Sequence, residues 1–236
     1  MQRIWHIHRI CRGGFVGLKF DGFKISIKGK HKQRNQDYAV VKKLENVLVC
    51  VVCDGLGSKQ LSHLGARALA KSVVEIVAQN IFDRNNLANN EALLDCIYKR
   101  KLKGLNLSQC ASTLLCGILY GDKAYFGHVG DGIIAIFGNE NYLIQQLGEF
   151  GNITTPFGSK NMEWLELDSN DIHSVALCSD GVSEIFEDLS NFLQEYINEY
   201  KTHTNIKARN MEILSWLNEF KGFCDDKSIV AIWSNI

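Results

Sequence analysis

Acidic residues that follow apolar segments are the first sign of chemistry in this chain. Residues 47–53 are entirely apolar and lead directly into Asp54 and Gly55. A second strand-like segment, residues 173–179, leads into Asp180. Because side chains just beyond the ends of buried strands can meet at one edge of a sheet, the two aspartates are expected to lie close together.

Further carboxylates extend this pattern to strand ends or tight turns, at Asp37, Asp131, Asp225 and Asp226. A cluster of unpaired carboxylates is unfavourable because like charges repel, and a divalent cation removes that penalty. Ligand sets made only of oxygen select the hard ions Mg²⁺ and Mn²⁺ rather than zinc. Gly55 lacks a side chain, so its carbonyl oxygen could approach the same cation.

Two such cations about 4 Å apart would share a water molecule and lower its pKa from about 15.7 toward about 7. Hydroxide would then be available at neutral pH for in-line attack on a phosphate ester, without a nucleophilic side chain. The cations would also neutralise charge that develops on the phosphoryl oxygens. A single Asp-Gly pair is usually only a turn, so this interpretation depends on the joint occurrence of the aspartates.

The elements that must position these residues alternate between strand and helix patterns. Apolar spacing predicts strands at 23–28, 37–43, 46–53, three within 111–138, then 163–167, 173–179 and 228–234. It predicts helices at 61–77, 89–102, 187–200 and 206–220. Antiparallel runs of strands with segregated helices are typical of an α+β fold. We therefore expect two antiparallel sheets packed face to face and covered by helices, in a single domain spanning 1–236.

Composition argues against several classes of function. The formal net charge is zero, so charge gives no reason to expect a nucleic-acid or membrane partner. No apolar segment reaches the roughly 18 residues that a membrane-spanning helix needs. The eight cysteines lie largely within apolar segments, and the first ten residues lack the pattern of a signal peptide. These features predict free thiols and a cytoplasmic location.

Six short segments occur in the order found in metal-dependent type 2C protein phosphatases. They are RNQDYAV, VVCDGLGS, ASTLLCGIL, AYFGHVGDGIIAIF, LCSDGVSE and DDKSIVAIW. Each is weak alone, but six in the right order are specific, and the chain most resembles the compact bacterial branch of the family. The resemblance implies a β-sandwich flanked on both sides by helix pairs, in α-β-β-α layers. It also implies a binuclear Mn²⁺ or Mg²⁺ site and hydrolysis of phosphoserine and phosphothreonine in proteins, in opposition to a serine/threonine kinase.

The resemblance also implies roles for the strand-end residues. Asp54 would bridge the two metals, and Gly55 would offer its carbonyl oxygen to one of them. Asp180 and Asp225 would bind the more buried metal, and Asp226 is a candidate to share that ligand role. Asp54, Asp180 and Asp225 thus form the predicted catalytic set, which acts through a metal-activated water.

Other positions match the family in supporting roles. Asp37 matches an acidic residue of the metal site, and Asp131 matches one that in bacterial members can help to hold a third, looser metal. Ser112 and Thr113 match a Gly-Ser-Thr stretch that packs beneath the site, so we interpret them as structural.

Three departures from the family pattern bear on activity. Lys32 stands where the family has a phosphate-binding arginine, and lysine lacks the bidentate fork of arginine. Lys32 and Arg34 are therefore the candidate phosphate ligands. Gln36 replaces a glutamate, and Leu56 replaces a histidine that some members are proposed to use as a general acid.

These departures leave two alternatives beside a metal-dependent phosphoprotein phosphatase. One is a non-catalytic domain of the same fold that senses or binds a partner. Retention of Asp54, Asp180 and Asp225 argues against it, because buried carboxylates without a metal are a liability. The other is a metal-dependent hydrolase of a different phosphate ester, such as a nucleotide.

Overall fold

The strands of the computed structural model form two antiparallel sheets that stack face to face. The structure describes residues 8–9, 20–145, 154–185, 188–202, 211–212, 215, 217 and 224–234. The strands in this part of the chain are β1 (His8–Arg9), β2 (Phe20–Ile27), β3 (Tyr38–Leu44), β4 (Val47–Cys53), β5 (Leu114–Tyr120), β6 (Lys123–Val129), β7 (Ile133–Gly138), β8 (Tyr142–Gln145), β9 (Glu163–Asp168), β10 (Ile172–Cys178) and β11 (Lys227–Ser234). The six-stranded sheet has the order β1-β2-β11-β10-β7-β8, and the five-stranded sheet has the order β3-β4-β5-β6-β9.

Helices cover the outer face of each sheet. In the described part of the chain, the α-helices with defined bounds are α1 (Ser62–Ala78), α2 (Asn89–Lys101), α3 (Asp180–Ser183) and α4 (Leu189–Thr202). The first two share an apolar core with the five-stranded sheet, and the last two share one with the six-stranded sheet. This arrangement confirms the predicted α+β fold with α-β-β-α layers.

Strand β4 shows why the stacking follows from the sequence. All seven of its residues are buried. Val49 and Val51 point into the core shared with α1, whereas Leu48 and Cys50 point into the core between the sheets. An uninterrupted apolar strand of this kind is stable only where both of its faces are covered.

The predicted elements match the observed ones to within a few residues, with three exceptions, the first of which is the four-residue helix α3, which was not predicted. Strand β8 was not predicted, because it lies at a sheet edge and alternates between half-buried and exposed positions, with Leu143 54% exposed. The helix predicted at 206–220 lies partly outside the described residues; of its span, 211–212, 215 and 217 are helical.

The antiparallel register brings several strand ends to one edge of the sandwich. The start of β3 pairs with the end of β4, through Tyr38 and Cys53. The end of β10 lies between the starts of β11 and β7, through Cys178. A three-residue turn, 130–132, leads from the end of β6 in one sheet to the start of β7 in the other. The residues just beyond these strand ends therefore lie together.

No helix within the described residues is long and apolar enough to cross a membrane.

Candidate metal centre

Three aspartates from different elements meet at this edge. Asp54 follows β4 of the five-stranded sheet, Asp180 begins α3 just beyond β10 of the six-stranded sheet, and Asp131 lies in the turn between β6 and β7. One carboxylate oxygen of each lies within 4.8 Å of the others. The structure thus brings together three of the residues that the sequence nominated as metal ligands.

The backbone of Asp54 is held in place by the two residues that precede β5, Ser112 and Thr113. Its carbonyl oxygen accepts hydrogen bonds from the backbone N–H of Thr113 and the hydroxyl of Ser112, both at 2.8 Å. Its own N–H donates to Oγ1 of Thr113 at 3.0 Å. These contacts leave the Asp54 peptide little freedom, which fits the structural interpretation of Ser112 and Thr113.

Gly55 occupies a position where no side chain fits. A Cβ atom there would lie 2.7 Å from the carbonyl oxygen of Gln36 and 2.8 Å from the carbonyl carbon of Ser62. The backbone therefore approaches its neighbours more closely than any other residue type would allow, and this close approach sets the path of the chain directly after Asp54.

Asp37 lies just before β3 and is 6% exposed. Neither of its carboxylate oxygens has a hydrogen-bond partner among the described residues. Burial raises the pKa of Asp37 to about 7, and the charge of Asp226 adds to that effect. A carboxylate buried in this way is unstable as an anion unless a cation lies beside it.

Burial and neighbouring negative charge also raise the pKa values of Asp54 and Asp180. Burial raises the pKa of Asp54 well above its usual range, and the nearby Asp37 and Asp180 raise it further. Burial also raises the pKa of Asp180 to about 6, with contributions from Asp131 and Asp225. Burial and mutual repulsion thus disfavour the ionised forms of Asp54 and Asp180, and a bound cation would oppose both effects.

The donor set suits a hard divalent cation. All the converging side chains present carboxylate oxygens, which are the ligands that Mg²⁺ and Mn²⁺ prefer. Oδ1 of Asp131 is buried and has no partner in the described part of the chain, whereas its Oδ2 accepts a hydrogen bond from the Thr154 hydroxyl. A buried carboxylate oxygen without a partner, beside two other carboxylates, is what a cation site requires.

The pair before β11 divides into two different environments. Asp226 is buried, and its two oxygens accept hydrogen bonds from the backbone N–H groups of Gly29 and Gln36, each at 2.7 Å. The Asp225 side chain is 48% exposed and forms an ion pair with Lys32. Nζ of Lys32 lies 3.3 Å from Oδ2 of Asp226. Burial lowers the pKa of Lys32, but Asp225, Asp226 and Asp54 together raise it above its usual value.

These groups line an open cleft of about 320 Å³. Its lining residues are Lys32, Asp54, Leu56, Gly57, Ser58, Thr154, Asp180 and Asp225. Arg34 is absent from this lining, and its guanidinium contacts the His63 ring at 3.0 Å. Of the two candidate phosphate ligands, only Lys32 therefore lines the cleft.

Gln36 and Leu56, which depart from the family pattern, and His128 each have defined contacts. The side-chain amide of Gln36 donates to the hydroxyl of Ser62 at 2.6 Å, so it fastens the chain before β3 to the start of α1. Leu56 presents an apolar side chain to the cleft. His128 is buried, and its ring contacts the Gly132 carbonyl oxygen at 3.0 Å, a structural contact within the turn that carries Asp131.

Sequence reasoning missed Thr154. It belongs to no strand end and to no recognisable motif, and its contact with Asp131 depends on how residues 154–156 fold back over the turn. The sequence shows only a pair of threonines, Thr154 and Thr155, before the proline at 156, and that is not a signal for a site.

Comparisons with known proteins agree with this geometry. The family model described as protein phosphatase 2C matches residues 28–218. Among solved structures, the serine/threonine phosphatase Stp1 from Staphylococcus aureus superposes with a TM-score of 0.70 at 14% identity, over 95% of this chain and 98% of that one.

Two further structures share the fold. PppA, a regulatory component of T6SS in Pseudomonas aeruginosa, has a TM-score of 0.67 at 18% identity, over 92% of this chain and 99% of that one. RsbX, in a complex with magnesium, has a TM-score of 0.61 at 13% identity, over 98% of this chain and 100% of that one. No curated protein matches the chain closely enough to count as a relative. The match of the family model over most of the sequence, with the ordered motifs and the shared fold, places this chain in the protein phosphatase 2C family.

Proposed function

We propose that this protein is a metal-dependent phosphatase that hydrolyses phosphoserine and phosphothreonine in proteins. The observation that carries the proposal is the meeting of Asp54, Asp131 and Asp180 within 4.8 Å beside a cleft that a lysine lines. Membership of the family supports it, since the family acts on phosphoproteins and depends on metal ions.

We assign the metal ligands to the carboxylates at this edge. Asp54, with the carbonyl oxygen of Gly55, and Asp180 with Asp225 would hold two Mn²⁺ or Mg²⁺ ions, and Asp131 would help to hold a third. Divalent cations bound there lower the pKa of water and neutralise charge that develops on a phosphoryl group.

The remaining acidic residues support that set. Asp37 is buried next to Asp54, and as an anion it would supply negative charge that strengthens the attraction for cations. Asp226 would act mainly through its backbone hydrogen bonds, which fix the loop that carries Lys32.

Lys32 would bind the phosphate of the substrate. Its ammonium group lies on the cleft and is held near the carboxylates, so a phosphate between it and the cations would be surrounded by positive charge. Arg34, which contacts His63 outside the cleft, would serve to attract the phosphoprotein rather than to bind its phosphate directly.

We also propose the setting in which the enzyme acts. The buried free thiols of Cys50, Cys116 and Cys178 suit a reducing compartment such as the bacterial cytoplasm. There the protein would oppose a serine/threonine kinase as a single-domain enzyme.

The test is hydrolysis of p-nitrophenyl phosphate and of a phosphothreonine peptide with Mn²⁺, Mg²⁺ or EDTA. We expect turnover that requires the metal and a loss of at least about 100-fold in kcat/KM for Asp54→Asn. Asp95→Asn, a matched change on α2 remote from the cleft lining, should retain wild-type activity. Metal-independent turnover, or equal activity in the two variants, would refute the proposal.

A further inference from the structure

We infer that Lys32 acts as an internal cation that neutralises Asp225 in the metal-free protein, and that a divalent cation must displace it to bind there. The inference rests on the proposed function, because it concerns the same metal centre. It goes further in assigning Lys32 a second role, as a competitor of the metal.

Lys32 can reach two carboxylates, those of Asp225 and Asp226. Asp226 is fully buried and already accepts two short backbone hydrogen bonds, so its charge is compensated without the lysine. Asp225 is about half exposed, and its ion-pair partner among the described residues is Lys32. Its Oδ1 also accepts a hydrogen bond from the backbone N–H of Asp226, which carries no charge to neutralise the carboxylate. The ammonium group of Lys32 therefore occupies the position from which a cation would bind Asp225.

The lysine can leave without disturbing the loop that carries it. The N–H of Lys32 donates to the carbonyl oxygen of Gly29 at 3.3 Å, and the Lys28 ammonium donates to the carbonyl oxygen of Lys32. Gly29 in turn packs so closely on the backbone of Cys224 that a Cβ atom would lie 2.1 Å from that carbonyl oxygen. The backbone is thus held in place, whereas the flexible four-carbon stem of the lysine can turn by rotation of its side chain alone.

Displacement of Lys32 from Asp225 couples the binding of the metal to the binding of phosphate in the cleft. When a metal takes Asp225, the ammonium group loses its partner and is repelled by the new charge. It remains on the cleft wall, where a phosphate is the available anion. Because coupling between two ligands is reciprocal, phosphate that binds Lys32 will also favour metal at Asp225. Lys32 would therefore weaken metal binding in the resting protein and strengthen phosphate binding in the loaded one.

The test measures Mn²⁺ binding by calorimetry without any substrate. In Lys32→Met the competitor is gone but the apolar stem remains, so we expect one site to bind Mn²⁺ at least about fivefold more tightly than in the wild type. Lys30→Met removes the same charge from the same loop, at an exposed lysine with no ion pair in the described residues. Its Mn²⁺ affinity should stay within about twofold of the wild-type value.

Thermal unfolding of the same proteins supplies a second readout. Without metal, Lys32→Met should melt below the wild type, because Asp225 loses its partner. With saturating Mn²⁺ its melting temperature should rise by more than that of the wild type. Both shifts would support the inference, and a well-defined transition also shows that the variant is folded.

The outcomes separate this inference from the proposed function. If the wild type binds Mn²⁺ and hydrolyses p-nitrophenyl phosphate but Lys32→Met binds Mn²⁺ no more tightly, the competition is refuted and the phosphatase assignment stands. If only Lys32→Met binds Mn²⁺, the competition is supported and the assignment of the wild type as a metal-loaded enzyme fails. If neither binds Mn²⁺, both are refuted.

Discussion

Gly55→Ala tests the geometry of the metal centre most directly. The added Cβ atom would lie 2.7 Å from the Gln36 carbonyl oxygen, 2.8 Å from the Ser62 carbonyl carbon and 2.9 Å from the Ser62 Cβ atom. All three are backbone atoms or are bonded directly to the backbone, so rotation of a side chain cannot relieve the overlap. Overpacking of this kind destabilises by about 1–3 kcal/mol, which for a domain of this size lowers the melting temperature by about 2–12 °C.

The effect on catalysis should exceed the effect on stability. Relief of the overlap must shift the chain next to Asp54, and a displacement of about 1 Å at a reacting centre can reduce the rate about 100-fold. Mn²⁺-dependent hydrolysis of p-nitrophenyl phosphate and thermal unfolding measure the two effects. Gly57→Ala is the matched control, since nothing lies within 4 Å of the Cβ position there. A Gly55→Ala protein with the melting temperature and kcat/KM of the control would refute the reasoning.

Three other predictions concern the aspartates themselves. The raised pKa values of Asp180, about 6, and Asp37, about 7, mean that these two carboxyls bind more protons in the folded than in the unfolded state of the metal-free protein between about pH 4 and pH 7. Its stability should therefore fall as the pH rises through this window; thermal unfolding in EDTA at pH 5 and pH 8 checks this, and a higher melting temperature at pH 8 would contradict it. Thr113→Val leaves the partly buried N–H of Asp54 without its acceptor and should destabilise by about 1 kcal/mol in urea unfolding, whereas the exposed change Ser108→Ala should have little effect. Asp54→Asn should leave the melting temperature of the metal-free protein nearly unchanged, because burial already favours the uncharged carboxyl, but should eliminate the rise that Mn²⁺ produces; an equal rise in wild type and variant would argue against Asp54 as a ligand.

The sequence predicted those features that depend on side-chain pattern along a single element. The strand predicted at 46–53 matches β4 to within one residue, because the segment that is buried on both faces is apolar at every position and polar residues flank it directly. The positions of Asp54 and Asp180 beyond two such strands predicted their meeting. That inference needed only the antiparallel arrangement of the sheets and no knowledge of loop conformation.

Features that depend on loop conformation could not be predicted. The ion pair of Lys32 with Asp225 joins residues almost 200 positions apart, and it exists because Gly29 packs on the chain before β11. The hydrogen bonds that Asp226 accepts from two backbone N–H groups likewise cannot be predicted from the types of side chain in the sequence. The sequence made Asp225 the principal ligand and Asp226 a candidate to share that role, and only the surrounding backbone shows how differently the two side chains are held.

The turn at 130–132 passes from one sheet to the other, so the acidic edge draws Asp54 from one layer and Asp180 from its neighbour. A cation bound by both Asp54 and Asp180 would cross-link two layers that are otherwise joined mainly by apolar contacts. Removal of the cation by a chelator should therefore weaken the packing between the sheets before either sheet unfolds. Amide hydrogen exchange should accelerate first in the residues that border this turn. Catalytic competence and the cohesion of the two layers would then rise and fall together with the supply of metal.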